Sequence, residues 1–350
     1  MTQALGAGAQ LRAAPVRRRL LGLGGAVGLL LVVVAASLAL GAREVPLGTV
    51  LDALAERAAG NNDHSVVLDQ RLPRTAVGLL VGAALGLAGT VMQGVTRNPL
   101  ADPGLLGVNA GASLFVVLSI TLFGITSPSG YIWFAFAGAA AATVVVYTVG
   151  ALGRDGATPV KLALAGTALT AGITSVLTLL LLGSTTATNT YRFWAVGSLA
   201  GRGSGSGGDV VLTLLPFLAA GAVLALLSGR SLNLLSLGDD IARGLGLHVP
   251  RARVLAFLAV VLLAGGATAL AGPIVFVGLV VPHIIRPLTG PDYRWVLAYA
   301  AVVGPALLLA ADVVGRLIAR PGELEAGLVV AFVGAPVMIA IVRRTRTAGL

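Results

Sequence analysis

Residues 71–111 read R-L-P-R-T-A-V-G-L-L-V-G-A-A-L-G-L-A-G-T-V-M-Q-G-V-T-R-N-P-L-A-D-P-G-L-L-G-V-N-A-G. Between Arg74 and Arg97 no side chain carries a charge. At about 1.5 Å per residue, a helix over that interval is long enough to cross a hydrocarbon core roughly 30 Å thick. The pattern recurs along the chain. Of its 350 residues 57% are apolar and 11% charged, whereas soluble domains carry roughly 25% charged residues. The mean hydropathy is +0.94. Apolar windows predict about ten spans, at 20–41, 75–95, 107–124, 131–152, 160–183, 209–228, 254–272, 273–288, 296–316 and 326–342. The expected class is therefore an all-α polytopic membrane protein, residues 1–350 forming one transmembrane domain. The seventh and eighth windows are separated only by Ala271-Gly272-Pro273, which fits either one kinked helix or a tight hairpin. The side of every later loop depends on that choice.

Several chemistries are excluded by what the sequence lacks. It has no cysteine, so disulfides, thiolate metal sites and cysteine nucleophiles are out. His64, His248 and His283 stand far apart and form no ligand pair, so no metal site is expected. The single lysine, Lys161, is followed by Leu162. A G-x-x-x-x-G-K-[ST] phosphate loop therefore cannot be written, and ATP must be handled by another chain. The net charge of +10 does not gather on an aromatic-bearing soluble segment, so nucleic acid is not an expected partner.

On a membrane protein, basic charge reports orientation. With ten spans, one side holds Arg12, Arg17, Arg18, Arg19, Arg97, Arg154, Lys161, Arg230, Arg243, Arg251, Arg253, Arg286, Arg294, Arg343, Arg344 and Arg346. The other holds only Arg43, Arg57, Arg71, Arg74, Arg192, Arg202, Arg316 and Arg320. The richer side is the cytoplasm, which places both termini (1–19 and 343–350) inside a multi-pass protein of the cell membrane. The first apolar window follows a basic run, but it is too long for a signal-peptide core and no A-x-A-like site follows closely. A retained helix is expected.

Within this frame four features stand out. Gly78, Gly82 and Gly86 form a smooth stripe, suited to helix packing inside one subunit or to a dimer face. Leu47, Val50, Leu51 and Leu54 recur at helical spacing and predict a short amphipathic helix lying on the outer surface. In the outer insert 184–208, Tyr191, Phe193 and Trp194 read as interface anchors. Asp312 lies in an apolar span with Arg316 four residues on, which reads as a structural pair rather than an ion path.

The cytoplasmic loop 229–253 has structure of its own. Asp239 and Asp240 follow Gly238 and suit a helix start, Arg243 comes one turn later, and Gly244 and Gly246 break the helix. A structured loop on that face is a docking surface.

The 71–111 stretch, together with F-V-G-L-V-V-P-H-I-I-R-P-L-T-G-P-D-Y-R (276–294), L-L-L-A-A-D-V-V-G-R (307–316) and E-L-E-A-G-L-V-V-A-F-V-G-A-P-V-M (323–338), resembles the FecCD-type permeases. These are the membrane subunits of ABC importers for ferric siderophores, haem and cobalamin. The resemblance covers residues 20–345. It implies the inverted-repeat ABC importer permease fold, with residues 75–183 and 254–342 inserted in opposite orientation. Arg71, Arg74 and Arg316 resemble the outer arginines that receive acidic residues of a binding protein. Asn98, Pro99, Leu100, Ala101, Asp102 and Pro103 resemble the inner constriction, with Asn98, Pro99 and Leu100 as its gate. The 153–160 loop departs from the family pattern, so no second constriction residue is assigned there. The run Leu237-Gly238-Asp239-Asp240-Ile241-Ala242-Arg243-Gly244-Leu245-Gly246 resembles the loop that couples to the ATPase, with Gly238, Asp239, Asp240, Ala242, Arg243, Leu245 and Gly246 as its coupling residues.

The function so implied is import of an iron–siderophore complex, with cobalamin or haem as the alternative cargo. The chain would have no catalytic residue and bind no cofactor; ATP and Mg would sit on the partner ATPase. The implied partners are a second permease copy or a paralogue, two ATPase subunits, an extracellular and lipid-anchored substrate-binding protein, and membrane lipid. A stand-alone secondary transporter would need a mid-membrane ion site beyond Asp312. An intramembrane enzyme would need a Ser/His or His/Asp set within the spans. The sequence offers neither.

Overall fold

The computed structural model describes residues 16–56, 60–152, 158–201 and 206–347. The expected tail before Val16, most of the 153–160 loop and residues 348–350 lie outside them. Fourteen helices follow one another among the described residues. The first six are α1 (Val16–Ala39), α2 (Leu47–Ala55), α3 (Asn62–Thr96, with a π-helical stretch at Val66–Arg71), α4 (Val108–Phe123), α5 (Pro128–Ala151) and α6 (Pro159–Gly183). Next come α7 (Thr185–Ala195), α8 (Ser206–Leu227), α9 (Gly229–Ser236) and α10 (Asp239–Gly244). The series ends with α11 (Val249–Ala271, π-helical at Val261–Gly265), α12 (Val277–Thr289), α13 (Tyr293–Ile318) and α14 (Ala326–Thr347).

Seven of these, α1, α3, α5, α6, α8, α11 and α13, are long and apolar enough to cross a membrane. The other three windows of the expected ten fall on shorter apolar helices, at Val108–Phe123, Val277–Thr289 and Ala326–Ala340.

Helix α3 is the axis of the bundle, and the glycine stripe explains why. Gly78 meets Leu309, Gly82 meets Gly304 and Pro305, and Gly86 meets Ala300, all on α13. The descending partner numbers make the pair antiparallel. A methyl group on Gly82 would lie 2.5 Å from the Pro305 Cα, so only glycine permits this approach. The stripe thus serves packing within one subunit. Gly89 presses in the same way against the Gly278 backbone of α12.

The Ala271-Gly272-Pro273 junction is a reversal. Helix α11 starts beside α10, where Arg253 bonds Asp239, and ends where the Ala271 carbonyl accepts from Ser198 N at 2.8 Å, just past α7. Gly272 (φ 78°) and Phe276 (φ 70°) then turn the chain back. Helix α12 descends beside α3: Gly278 lies against Gly89, Gln93 Nε2 donates to the Leu279 carbonyl, and Tyr293 reaches Gly94. The hairpin therefore holds. Its second helix starts at Val277 rather than 273, because residues 273–276 are non-helical and Phe276 takes a left-handed conformation.

One surface expectation is corrected. Trp194 is 1% exposed, packed beneath Gly272, and anchors nothing at an interface. Phe193 does stand out, with the Arg192 guanidinium 4.8 Å from its ring centre. On α2 only Val50 of the four apolar residues is buried, joined by Ala53 against Leu38, Ala39, Val45 and Val67. Leu47, Leu51 and Leu54 are exposed.

Candidate functional site

The bundle has two working ends, one carrying α2 and α7, the other α9 and α10. At the α2 end, Arg71, Arg74 and Arg316 come together although two of them are over two hundred residues from the third. Asp312 has no exposed surface; it receives Arg74 Nη2 at 2.8 Å and Arg316 Nη2 at 3.0 Å. Arg74 also reaches Glu323 at 2.5 Å. The sequence-based pair of Asp312 with Arg316 is present, with Arg74 added.

The other arginine bonds have a separate cause. Helix α1 ends near Ala39, leaving its last carbonyls without partners inside the helix. Arg71 Nη1 donates to the Leu38 and Ala39 carbonyls at 2.7 Å each, and its other nitrogen to the Arg43 carbonyl. Arg316 Nη1 donates to the carbonyls of Ser37 (2.9 Å) and Leu40 (3.0 Å). Two cations thus sit on the negative end of the α1 dipole. The three arginines, with Arg43, Asp69 and Glu323, line a polar cavity of about 510 Å³.

At the other end, α3 stops at Arg97, which takes a left-handed conformation (φ 51°). The chain then folds on itself: Asn98 Oδ1 accepts from Leu100 N at 2.9 Å, and Asp102 Oδ1 from Gly104 N at 2.8 Å. Pro103–Leu106 form a 3₁₀ turn. Desolvation pushes the Asp102 carboxyl above its ordinary range, against the opposing pull of the Gly104 N–H. Asn98 and Leu100 remain reachable, Leu100 being exposed, while Ala101 is buried.

Beside this loop lies the 229–253 segment. Gly238 (φ 105°) opens α10 and Gly246 (φ 83°) follows its end; both backbones favour glycine. Asp240 pairs with Arg243 at 2.8 Å on the surface. Asp239 instead faces inward, to Arg253 at 2.9 Å and Arg97 at 3.6 Å. Ala242 is fully buried, so it seats the helix and offers nothing to a partner. Leu237, Ile241 and Leu245 are all exposed and recur every fourth residue. Leu237 and Ile241 both lie in the run whose resemblance suggests the coupling loop. Behind α10, Asn233 of α9 bonds Asp292 at 2.7 Å and Tyr293 N at 2.8 Å. Burial raises the Asp292 carboxyl, but the Arg294 and Asn233 hydrogen bonds outweigh it and bring it down to about 2.

Among the described residues, α6 and α14 each leave a flank uncovered, as α1 does. Helix α6 presents Thr167, Ala171, Thr174 and Thr178 outward, and α14 bears an apolar groove from Leu328 to Arg343 with Phe332 and Ile339 exposed.

The profile of the FecCD transport family matches residues 29–344. The chain belongs to the FecCD transport family. The ferric enterobactin transport system permease protein FepD of Escherichia coli (strain K12) is 48% identical over 324 residues, covering 92% of this chain and 94% of FepD. The probable siderophore transport system permease protein YfiZ of Bacillus subtilis (strain 168) is 43% identical, covering 81% and 84% of the two chains. Among solved structures, an inward-facing metal-chelate type ABC transporter superposes with a TM-score of 0.78 at 28% identity, over 93% of this chain and 99% of that one. Membership in the FecCD family makes the chain a membrane-embedded permease subunit, and its glycine-locked helices are those of a FecCD-family domain.

Proposed function

We propose that this chain is the permease subunit of an ABC importer that carries an iron–siderophore complex into the cytoplasm, powered by a separate ATPase. The observation that carries the reading is a cluster of exposed apolar side chains, Ile241 on α10 with Leu237 and Leu245 flanking it, on a segment tied by glycines and ion pairs to the bundle. An exposed apolar cluster of that kind, beside a loop that blocks the end of the central helix, is fit to receive a motor subunit. ATP and Mg bind on that subunit.

In this reading the chain crosses the membrane ten times. The short helices α4 and α12 complete their crossings with non-helical backbone buried in protein, while α14 is long enough on its own. Both termini and α10 are cytoplasmic, and residues 75–183 and 254–342 act as inverted halves. A second copy or paralogue covers α6 and α14, so that the α6 hydroxyl stripe lines a shared path instead of facing lipid. Two ATPases dock on the two α10 helices. Asn98, Pro99 and Leu100 close the inner end of the path, and ATP-driven motion of α10 opens it as a rigid-body change.

A lipid-anchored binding protein delivers the cargo at the α2 end. Arg71, Arg74 and Arg316 receive its acidic residues through the polar cavity, an incoming carboxylate competing with Glu323 for Arg74. Glu323 is 35% exposed, the accessible member of that pair. Reversing Arg71 and Arg74 to Glu is expected to weaken association, with partial rescue by reversed acids on the partner.

Deleting the gene in its host tests the function. Uptake of radioiron from the host's ferric siderophores should fall and return on complementation. Unchanged uptake of every ferric chelate, with loss of cobalamin or haem uptake instead, would reassign the cargo.

A further inference from the structure

Arg97, Asp239 and Arg253 form a cluster that packing alone does not require. Asp239 is the first residue of α10, and both its oxygens turn away from the exposed apolar cluster. Oδ1 and Oδ2 take Arg253 Nη2 at 3.1 and 2.9 Å, and Oδ1 faces Arg97 Nη2 at 3.6 Å. The two cations belong to different membrane helices. Arg97 is the left-handed residue that ends α3 and precedes Asn98-Pro99-Leu100. Arg253 lies in the first helical turns of α11. The other acid of α10, Asp240, is spent on Arg243 at the surface. One carboxylate is therefore the shared counter-ion of the inner loop and of α11, carried on the helix that bears the exposed Ile241.

We infer that Asp239 is a positioning residue that divides the motion of the docking helix between two branches, one through Arg97 to the Asn98–Leu100 loop and one through Arg253 to α11. The inference rests on the ATPase-docking reading. Asp239 in this account is not a contact to the ATPase. When α10 is displaced, an attraction at these distances moves both arginines with it, more firmly for Arg253, whose side chain is 14% exposed, than for Arg97 at 38%. If the carboxylate is neutralised, Arg97 and Arg253 repel each other and α10 slides without them. Coupling of this kind is demonstrated by an element whose two positions both ends sense, not by adjacency alone.

The chain has no cysteine, so single labels report one place. Spin labels on Leu100→Cys, or separately on Val254→Cys at the exposed start of α11, are read against a label on the co-purified ATPase. Distances are compared without nucleotide and after trapping with ATP, Mg and vanadate. In the parent both distances should shift. Asp239→Asn should retain the ATPase in equal yield and lose both shifts, and Asp239→Glu should keep them. Arg97→Gln should lose the Leu100 shift alone, and Arg253→Gln the Val254 shift alone. Shifts that survive Asp239→Asn, or that vanish together in either arginine variant, overturn the inference. So does loss of the ATPase from Asp239→Asn while Asp239→Glu still holds it, which would make Asp239 a docking contact. Failure of the parent chain to hold any ATPase would instead overturn the docking reading itself.

Discussion

Replacing Asp312 with Asn removes one negative charge at almost constant volume. In the folded chain Asp312 has no exposed surface and is the shared partner of Arg74 at 2.8 Å and Arg316 at 3.0 Å. Without it the two guanidiniums, themselves nearly buried, face each other with only Glu323 to offset Arg74. Breaking a buried pair by removing one partner costs about 3–5 kcal/mol. Glu323 and the α1 carbonyls still hold the arginines, so the expected loss is at the lower end, about 3 kcal/mol. The assay is reversible unfolding of the purified chain in mixed micelles, followed by tryptophan fluorescence, to which the buried Trp194 contributes. Arg74→Gln added to Asp312→Asn should recover part of the loss, because it removes one of the two stranded charges. A coupling of about 1–3 kcal/mol is expected from that cycle. If Asp312→Asn stays within about 0.5 kcal/mol of the parent, as a surface substitution would, or if the two losses simply add, the cluster is not the lock described here.

Three further outcomes follow from the geometry. Gly89→Ala drives a methyl group into the Gly278 carbonyl and should cost about 1–3 kcal/mol in the same unfolding assay by forcing α3 and α12 apart; an unchanged midpoint would mean that they are not locked backbone to backbone. The Asp292 carboxyl, held at about 2 against an ordinary 3.8, adds stability above the ordinary value and loses it on acidification. The stability difference between parent and Asp292→Asn should be flat above about pH 5 and shrink between about pH 4 and pH 2, whereas a difference unchanged down to about pH 2 would contradict the assignment. Bulky residues at Gly238 and Gly246, whose backbones lie at φ 105° and 83°, should leave expression and dimerisation intact while ATPase co-purification drops; normal co-purification would move the docking surface elsewhere.

Much of this was legible in the chain because its signals are local. The uncharged run after Arg74 marks the axis of the bundle, and Gly78, Gly82 and Gly86 mark the face that meets α13. Gly238 with Gly244 and Gly246 brackets a six-residue helix found at Asp239–Gly244. What escaped reading is non-local or concerns depth. Trp194 looks like an interface aromatic in sequence, yet it is buried, and the α11–α12 reversal at Gly272 passes against its backbone carbonyl. Leu47, Leu51 and Leu54 stand exposed on α2 as their spacing leads one to expect of a surface helix, but that α2 is seated through Val50 and Ala53 was not legible. No spacing rule could have paired Arg74 with Asp312, or Asp239 with Arg97, since those partners are brought together only by the antiparallel packing of distant helices.

The most direct test of the central claim is uptake by the purified assembly. Proteoliposomes containing this chain and its cognate ATPase, supplied with the binding protein loaded with a radioiron-labelled siderophore outside and with ATP inside, should accumulate the label. Accumulation should stop when ATP is replaced by ADP or when the ATPase is left out. Accumulation of label at the same rate without ATP or without the ATPase, under an ion gradient alone, would contradict the account and make this chain a transporter in its own right.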